Sequence, residues 1–142
     1  MFIFLVMVWG DGFLDWYRRD EPEHLRRGRM GERAAKRKLK KAGLKFLYAN
    51  FRGEAGEIDL IFRDGKTLVF VEVKTRSSEA WTRPAAAVNA DKRRKLIATG
   101  REYVRLLGQH SVSTRYDIVE VLLENGAVRE VRHQPSAFKT VS

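Results

Sequence analysis

Residues 57–74 read EIDLIFRDGKTLVFVEVK, and this stretch decides the fold. Its two halves, residues 57–62 and 67–74, are rich in the branched and aromatic side chains that favour β-strands. Asp64 and Gly65 lie between them, and an Asp-Gly pair in that position is typical of a two-residue hairpin turn. The stretch therefore predicts two adjacent antiparallel strands.

The predicted turn also sets the register of these two strands. Glu57 then faces Glu72 and Asp59 faces Phe70, and facing residues point to the same side of a sheet. The side that they share is predicted to carry Glu57, Asp59, Phe70, Glu72 and Lys74. The opposite side is predicted to be core, and it carries Ile58, Leu60, Phe62, Val69, Val71 and Val73.

Two acidic residues in the middle of these apolar strands require an explanation. In the predicted register Asp59 and Glu72 are diagonal neighbours, roughly 7–8 Å apart at their bases. Two carboxylates at that distance can hold one divalent cation, whereas without a cation they would repel each other. The alternative is that this side of the sheet is simply exposed to solvent. Phe70 lies on the same side and favours partial cover, so we expect a metal site.

Lys74 follows Glu72 by two residues and lies on the same predicted side. An ammonium group in that place can orient an attacking water and stabilise negative charge that develops on a phosphate. The alternative is an ordinary Lys–Glu surface pair. The pattern becomes moderately specific because Asp59 precedes Glu72 by thirteen residues across a hairpin turn.

Two helices are predicted outside this hairpin. Residues 31–42 place alanine and leucine at helical spacing, and Gly43 is a suitable C-terminal stop. Residues 85–107 are the second predicted helix, with a possible restart at Asp91 as N-cap and an end at Gly108.

Three further strands are predicted at residues 44–51, 115–123 and 127–132. The order of elements is then α, β, β, β, α, β, β. This order predicts an α/β fold in which helices flank a mixed β-sheet.

Glu32 lies in the first turn of the first predicted helix, on the same side as Ala35 and Leu39, and so points towards the body of the protein. It could join the carboxylates of the hairpin. Acidic residues also stabilise helix N-termini through the macrodipole, so that role is an equally good explanation from spacing alone.

The composition predicts a polyanionic partner. The 142 residues include 28 Lys and Arg against 18 Asp and Glu, a net charge of +10. Nucleic acid is the first candidate and an anionic membrane surface the second. The chain has no cysteine, which excludes disulfides and thiolate chemistry, and its three histidines show no ligand-like spacing. Any metal is therefore expected to be a hard cation held by carboxylates.

Residues 1–9 form an apolar run that is too short to span a bilayer and lacks the basic flank of a secretory signal. We expect it to pack on the domain; a start codon placed too far upstream and a weak membrane anchor are alternatives. The predicted organisation is an N-terminal extension (1–28), one domain (29–133) and a peripheral tail (134–142).

Several motifs resemble the YraN family of small bacterial proteins. They are Gly31-Glu32-x-x-Ala35, Asn50-x-Arg52, GEIDLI at 56–61, VFVEVKTR at 69–76, Ala87-Val88 with Lys92, and YDIVEV at 116–121. The family belongs to the PD-(D/E)xK nucleases and is similar to archaeal Holliday-junction resolvases. The sequence departs from the family in the loop 78–84, which lacks the usual glycine, and from the superfamily name in Ile58, which replaces its proline.

The resemblance implies a restriction-endonuclease-like core and a metal-dependent nuclease. Glu32, Asp59, Glu72 and Lys74 would be catalytic; Asp59, Glu72, the carbonyl of Val73 and Glu32 would hold Mg²⁺ or Mn²⁺. We expect phosphodiester hydrolysis in the cytoplasm, favouring DNA over RNA and structure-selective or nonspecific. A homodimer is one option, and a catalytically inactive nucleic-acid-binding module is the alternative function. The residues expected to contact phosphates are Arg52, Arg76, Arg83, Lys92, Arg93, Arg94 and Lys95.

Overall fold

The computed structural model describes residues 21–77, 88–108 and 111–138. Arg83, the apolar run 1–9 and the loop 78–84 lie outside the described residues. The elements follow the predicted order: α1 (Glu23–Lys41), β1 (Lys45–Arg52), β2 (Glu57–Asp64), β3 (Thr67–Ser77), α2 (Ala90–Leu106), β4 (Ser113–Glu124) and β5 (Ala127–Phe138).

The five strands form one mixed sheet in the order β1-β2-β3-β4-β5. Every neighbouring pair is antiparallel except β3 and β4, which are parallel and are joined through α2. The predicted α/β fold with a mixed sheet flanked by helices is therefore confirmed, and it is consistent with a restriction-endonuclease-like core.

Each helix covers one side of the sheet, because neighbouring residues of a strand point to opposite sides. Val69 and Val71 of β3 pack with Ala35 and Leu39 of α1. Phe70 of β3 packs in the other cluster, with Leu96 of α2 and Ile118 of β4. Both sides of the hairpin are therefore core, and β2 and β3 can carry long apolar runs.

Helix α1 begins eight residues earlier than predicted, at Glu23 instead of Gly31. Pro22 is the N-cap residue, and its carbonyl accepts hydrogen bonds from the Leu25 and Arg26 amides of the first turn. The predicted end is confirmed: Gly43 has φ +96°, and the Leu44 amide donates to the Leu39 carbonyl in a Schellman motif.

Helix α2 is capped by Asn89, whose side chain accepts a hydrogen bond from the Lys92 amide at 2.9 Å. The prediction of Asp91 as N-cap was therefore wrong by two residues. Strand β5 runs into the predicted peripheral tail (134–142) as far as Phe138, so that part of the prediction was wrong. There Phe138 is buried and stacks on Tyr116, and the Ser136 amide donates to Asp117 where the pairing with β4 changes register.

The hairpin register differs from the prediction by two residues. Asp64 pairs with Thr67, so the turn is Gly65 and Lys66, and Leu60 pairs with Val71. If this register continues by one more pair, Asp59 lies opposite Glu72, whereas the predicted register placed Asp59 opposite Phe70. A shift of two residues keeps every side chain on its predicted side of the sheet, because the side-chain period of a strand is two.

One side-chain assignment in β2 was wrong. Ile58 packs in the cluster under α2, whereas Leu60 packs under α1. Strict alternation would put both residues on the same side, so β2 is kinked between them at Asp59. On β1, Asn50 lies opposite this point with φ +55°, a left-handed conformation that asparagine tolerates better than most residues.

Among the described residues, no helix is long and apolar enough to cross a membrane.

Gly31 sets how closely α1 approaches β3, because a Cβ at this position would overlap the Thr75 hydroxyl. We predict that Gly31→Ala lowers the free energy of unfolding by about 1–3 kcal/mol, the usual cost of overpacking. Thr75→Ala in the same chain should recover part of the loss. Gly28 has open space around its Cα, so Gly28→Ala should be neutral or stabilise by up to about 1 kcal/mol. Urea unfolding of the four proteins checks this, and equal effects at Gly28 and Gly31 would contradict it.

Candidate active site

The candidate site is built around Asp59, at the kink where the ladder between β2 and β3 ends. The main chain pairs Leu60 with Val71, but neither register of β2 includes Asp59. Instead the Asp59 side chain takes up the next backbone donor: the Val73 amide donates to Asp59 Oδ2 at 2.8 Å. This hydrogen bond fixes the carboxylate beside the backbone of β3.

Burial and the nearby Glu72 carboxylate raise the pKa of Asp59 from 3.8 to about 7, although the Val73 amide lowers it. Both causes disfavour the charged form. Near neutral pH the Asp59 carboxyl group is therefore protonated in a large fraction of the molecules.

Glu72 lies between two lysines. Its Oε1 atom is 3.5 Å from Lys74 Nζ on the same strand and 3.8 Å from Lys92 Nζ on α2. The residue is only 5% exposed, and its Oε2 atom makes no hydrogen bond among the described residues. A buried carboxylate oxygen without a partner is costly, and a bound cation would supply the missing interaction.

Glu32 approaches Asp59 from α1. It lines a cavity of about 310 Å³ together with Asp59, Val73 and Thr75. Burial raises its pKa, followed by repulsion from Asp59 and Glu57, whereas a hydrogen bond with Asn50 lowers it. Because α1 begins at Glu23, Glu32 lies in mid-helix and not in the first turn as predicted. The macrodipole explanation does not apply there.

Several residues beside Glu32 and Asp59 were not predicted from the sequence. Helix α1 contributes His24 and Arg27 to the cavity that holds Glu32. His24, Gly28 and Glu32 are spaced by four residues and share one side of the helix, so an earlier helix start would have revealed them. The hydrogen bond from Asn50 to Glu32 could not be predicted from residue spacing, because it depends on the kink in β2.

The predicted phosphate-binding residues have different surroundings. Lys92 contacts Glu72, and Arg76 Nε lies 3.5 Å from the buried Glu120. Arg52 is 83% exposed and pairs loosely with Glu57 at 3.6 Å.

The other predicted cations of α2 point elsewhere. Lys95 and Arg94 pair with Asp91. Arg93 donates to the Val88 carbonyl and lies over the Phe138 ring. Among these predicted α2 cations, Lys92 is therefore the one whose described contacts reach Glu72 of the candidate site.

The described carboxylates do not form a complete metal cage as they stand. Among residues 21–77, 88–108 and 111–138, no three acidic or histidine side chains are close enough to ligate one ion. A Mg²⁺ ion usually keeps several waters and needs only one or two carboxylates, so the pair of Asp59 and Glu72 fits such an ion. The unpartnered Glu72 Oε2 atom and the raised Asp59 pKa both favour this fit.

Comparison with known proteins gives a consistent family. The model of "Uncharacterised protein family UPF0102" matches residues 31–121. A UPF0102 protein of Desulfosudis oleivorans is 40% identical over 106 residues, covering 75% of this chain and 86% of the relative. One from Rhodococcus jostii is 38% identical over 111 residues, covering 78% and 94%.

A third relative, from Solibacter usitatus, is 45% identical over 109 residues, covering 75% of this chain and 81% of its own length. The matched region runs from the middle of α1 to β4 and includes all the carboxylates of the candidate site. The chain therefore belongs to the UPF0102 (YraN) family, which is part of the restriction-endonuclease-like superfamily.

Proposed function

We propose that this protein is a metal-dependent nuclease that hydrolyses phosphodiester bonds in DNA, acting structure-selectively or without sequence preference. The observation that carries the proposal is the Asp59–Glu72 pair, with an unpartnered buried oxygen on Glu72 and two lysines beside it. The fold and superfamily support it, but a fold by itself does not imply an activity.

Asp59 and Glu72 would hold one Mg²⁺ or Mn²⁺, with the Val73 carbonyl and Glu32 as further candidate ligands. Such an ion supplies Lewis-acid polarisation of the scissile phosphate and of the leaving oxygen. The Val73 amide keeps the Asp59 carboxylate in place, and Asn50 does the same for Glu32.

The two lysines would act on the phosphate and on the attacking water. Lys74 Nζ is half-exposed beside Glu72, so it can orient a water and place positive charge where the phosphorane develops. Lys92 reaches the same carboxylate from α2 and would contact the phosphate from the other side. Arg52, beside Glu57, and Arg76, two residues after Lys74 on β3, could hold neighbouring phosphates, which give affinity without sequence information.

A binding module that does not cut is a second candidate. The observation that favours it is that, in the described parts of the chain, no three acidic or histidine side chains are close enough to hold a metal. In that case nucleic-acid binding would survive a chelator and the loss of Lys74. A cytoplasmic location and a homodimer remain predictions.

Cleavage of labelled branched, single-stranded and linear DNA, and of RNA, tests the function directly. In Mg²⁺ or Mn²⁺ we expect cutting by the wild type and by Lys66→Gln, which removes an equal charge in the hairpin turn. Asp59→Asn and Lys74→Gln should each lower the rate by about 100-fold or more, the usual cost of removing a transition-state contact. Salt-sensitive binding without cutting, unchanged in both variants, would instead establish the binding module.

A comparison of Lys92 with Lys95 distinguishes a lysine that acts in the candidate site from one that adds only surface charge. Lys92 reaches Glu72, whereas Lys95 pairs with Asp91 one turn away. We predict that Lys92→Gln lowers kcat by about tenfold or more, in the range of one general acid–base or electrostatic contact. Lys95→Gln should leave kcat unchanged and raise KM slightly. Steady-state kinetics on the best substrate measure both, and equal effects would assign Lys92 to the surface.

The Asp59 carboxylate makes stability depend on pH and metal. Its folded pKa of about 7 lies above the ordinary 3.8, so ionisation costs folding free energy, increasingly from about pH 4 to pH 7. In chelator, we predict that Asp59→Asn has a higher Tm than the wild type above pH 7 and an equal Tm near pH 4. Each 1 kcal/mol should appear as about 2–4 °C in a chain of this size.

Mg²⁺ should reverse this order, because it binds only the folded wild-type pair. Thermal scans at pH 8 should show an increase in Tm with Mg²⁺ for the wild type and none for Asp59→Asn. Equal responses of the two proteins would exclude Asp59 as a metal ligand.

A further inference from the structure

A second concave surface lies on the other flank of α1, between this helix and β5. This groove has a volume of about 360 Å³, and its floor is apolar: Met30 and Ala34 from α1, and Val128 and Val131 from β5. The candidate active site uses a different side of the same helix, through His24, Gly28 and Glu32. The groove and the cavity of the candidate site share no described lining residue.

The rim of the groove is uniformly cationic. Arg33, Arg37, Lys38 and Lys41 line it, and none of the described residues that line it is acidic. This contrasts with the candidate site, where Glu32 and Asp59 line the cavity. The long stems of the rim side chains can rest on the apolar floor while their charged ends remain in water.

The cations are regularly spaced along the groove. Arg33, Arg37 and Lys41 follow one another at intervals of four residues, which is about 6 Å along a helix axis. One strand of B-DNA carries one charge per about 3.4 Å of duplex axis, so a row of cations at this spacing can contact more than one phosphate of a strand. A second hollow, lined by Arg26, Arg29 and Gly126, continues from Met30 and Arg33 towards the N-terminus of α1.

We propose that this groove binds a phosphate backbone of nucleic acid, as a contact separate from the candidate active site. Charge favours this occupant: the described lining of the groove holds four cations and no acid, on a chain with a net charge of +10, and such a surface complements an evenly spaced polyanion. The inference rests on the proposed function for its ligand, but it does not require cutting. The groove would hold a part of the nucleic acid that lies across α1 from the bond to be cleaved.

A matched pair of double variants on one helix tests this assignment. Arg37→Gln with Lys41→Gln removes two charges from the groove. Lys36→Gln with Lys40→Gln removes two charges from another side of α1, where both ammonium groups lie over the Phe46 ring at 3.7 and 5.7 Å. The two proteins have the same net charge, and glutamine is a good helix former.

Binding of a labelled 20-base-pair DNA duplex is measured in chelator across a range of salt, on an Asp59→Asn background that cannot cut. We expect the groove variant to bind about tenfold or more weakly at 0.15 M salt, with a log–log salt slope reduced by about 2. The Lys36/Lys40 variant should keep the slope within about 0.5 of the parent. Thermal scans verify that each protein is folded, and Arg33→Gln with Lys38→Gln is a second groove variant with the same expected loss.

Equal losses in the two matched variants would overturn the proposal, because binding would then follow net charge alone. Unchanged duplex binding in both groove variants would also overturn it, and would leave the groove to an acidic protein segment. Failure of the nuclease proposal has a different signature: no metal-dependent cutting, with the groove effect on binding intact.

Discussion

The hydrogen bond from the Val73 amide to Asp59 Oδ2 is the interaction on which the candidate site depends. The Val73 amide donates to this side chain at the point where β2 and β3 stop pairing through their backbones. An acidic side chain therefore lies where the backbone hydrogen bonds of the sheet would otherwise continue. Burial and Glu72 make this position unfavourable for a charge, as the pKa of about 7 indicates. Buried carboxylates that destabilise the folded protein in the absence of a ligand suit a cation-binding site, because a bound cation offsets the unfavourable burial of their charge.

The packing of α1 brings a third carboxylate, that of Glu32, to the cavity beside Asp59. Gly31 allows the helix to approach Thr75 of β3 closely, and the next residue, Glu32, then reaches the cavity that Asp59 lines. The contacts of Glu32 with Asn50 and of Glu72 with Lys92 come from β1 and α2. Four elements therefore converge on one kink in β2, and the apolar clusters on both sides of the sheet hold them in register.

Periodic patterns in the sequence predicted the fold well, and they failed where the backbone departs from regularity. The sides of the hairpin were predicted correctly for Glu72 and Phe70 despite a register error of two residues, because parity survives such a shift. Ile58 was misplaced because the kink opposite Asn50 breaks the alternation. The partners of Arg76 and Lys95 were not predictable, since they depend on which strand or helix turn lies beside them in three dimensions.

The net charge of +10 pointed to a polyanion, but composition cannot say where that polyanion would lie. Helix α1 separates the candidate surfaces, because its 3.6-residue period sorts one basic sequence into flanks of different chemistry. Lys36 and Lys40 lie over an aromatic ring, and Glu32 joins the buried carboxylates. The flank of Arg33, Arg37 and Lys41 instead lines the groove beside β5. A charge count thus overstates the number of cations free to bind phosphate, and the structure identifies which of them have an open surface beside them.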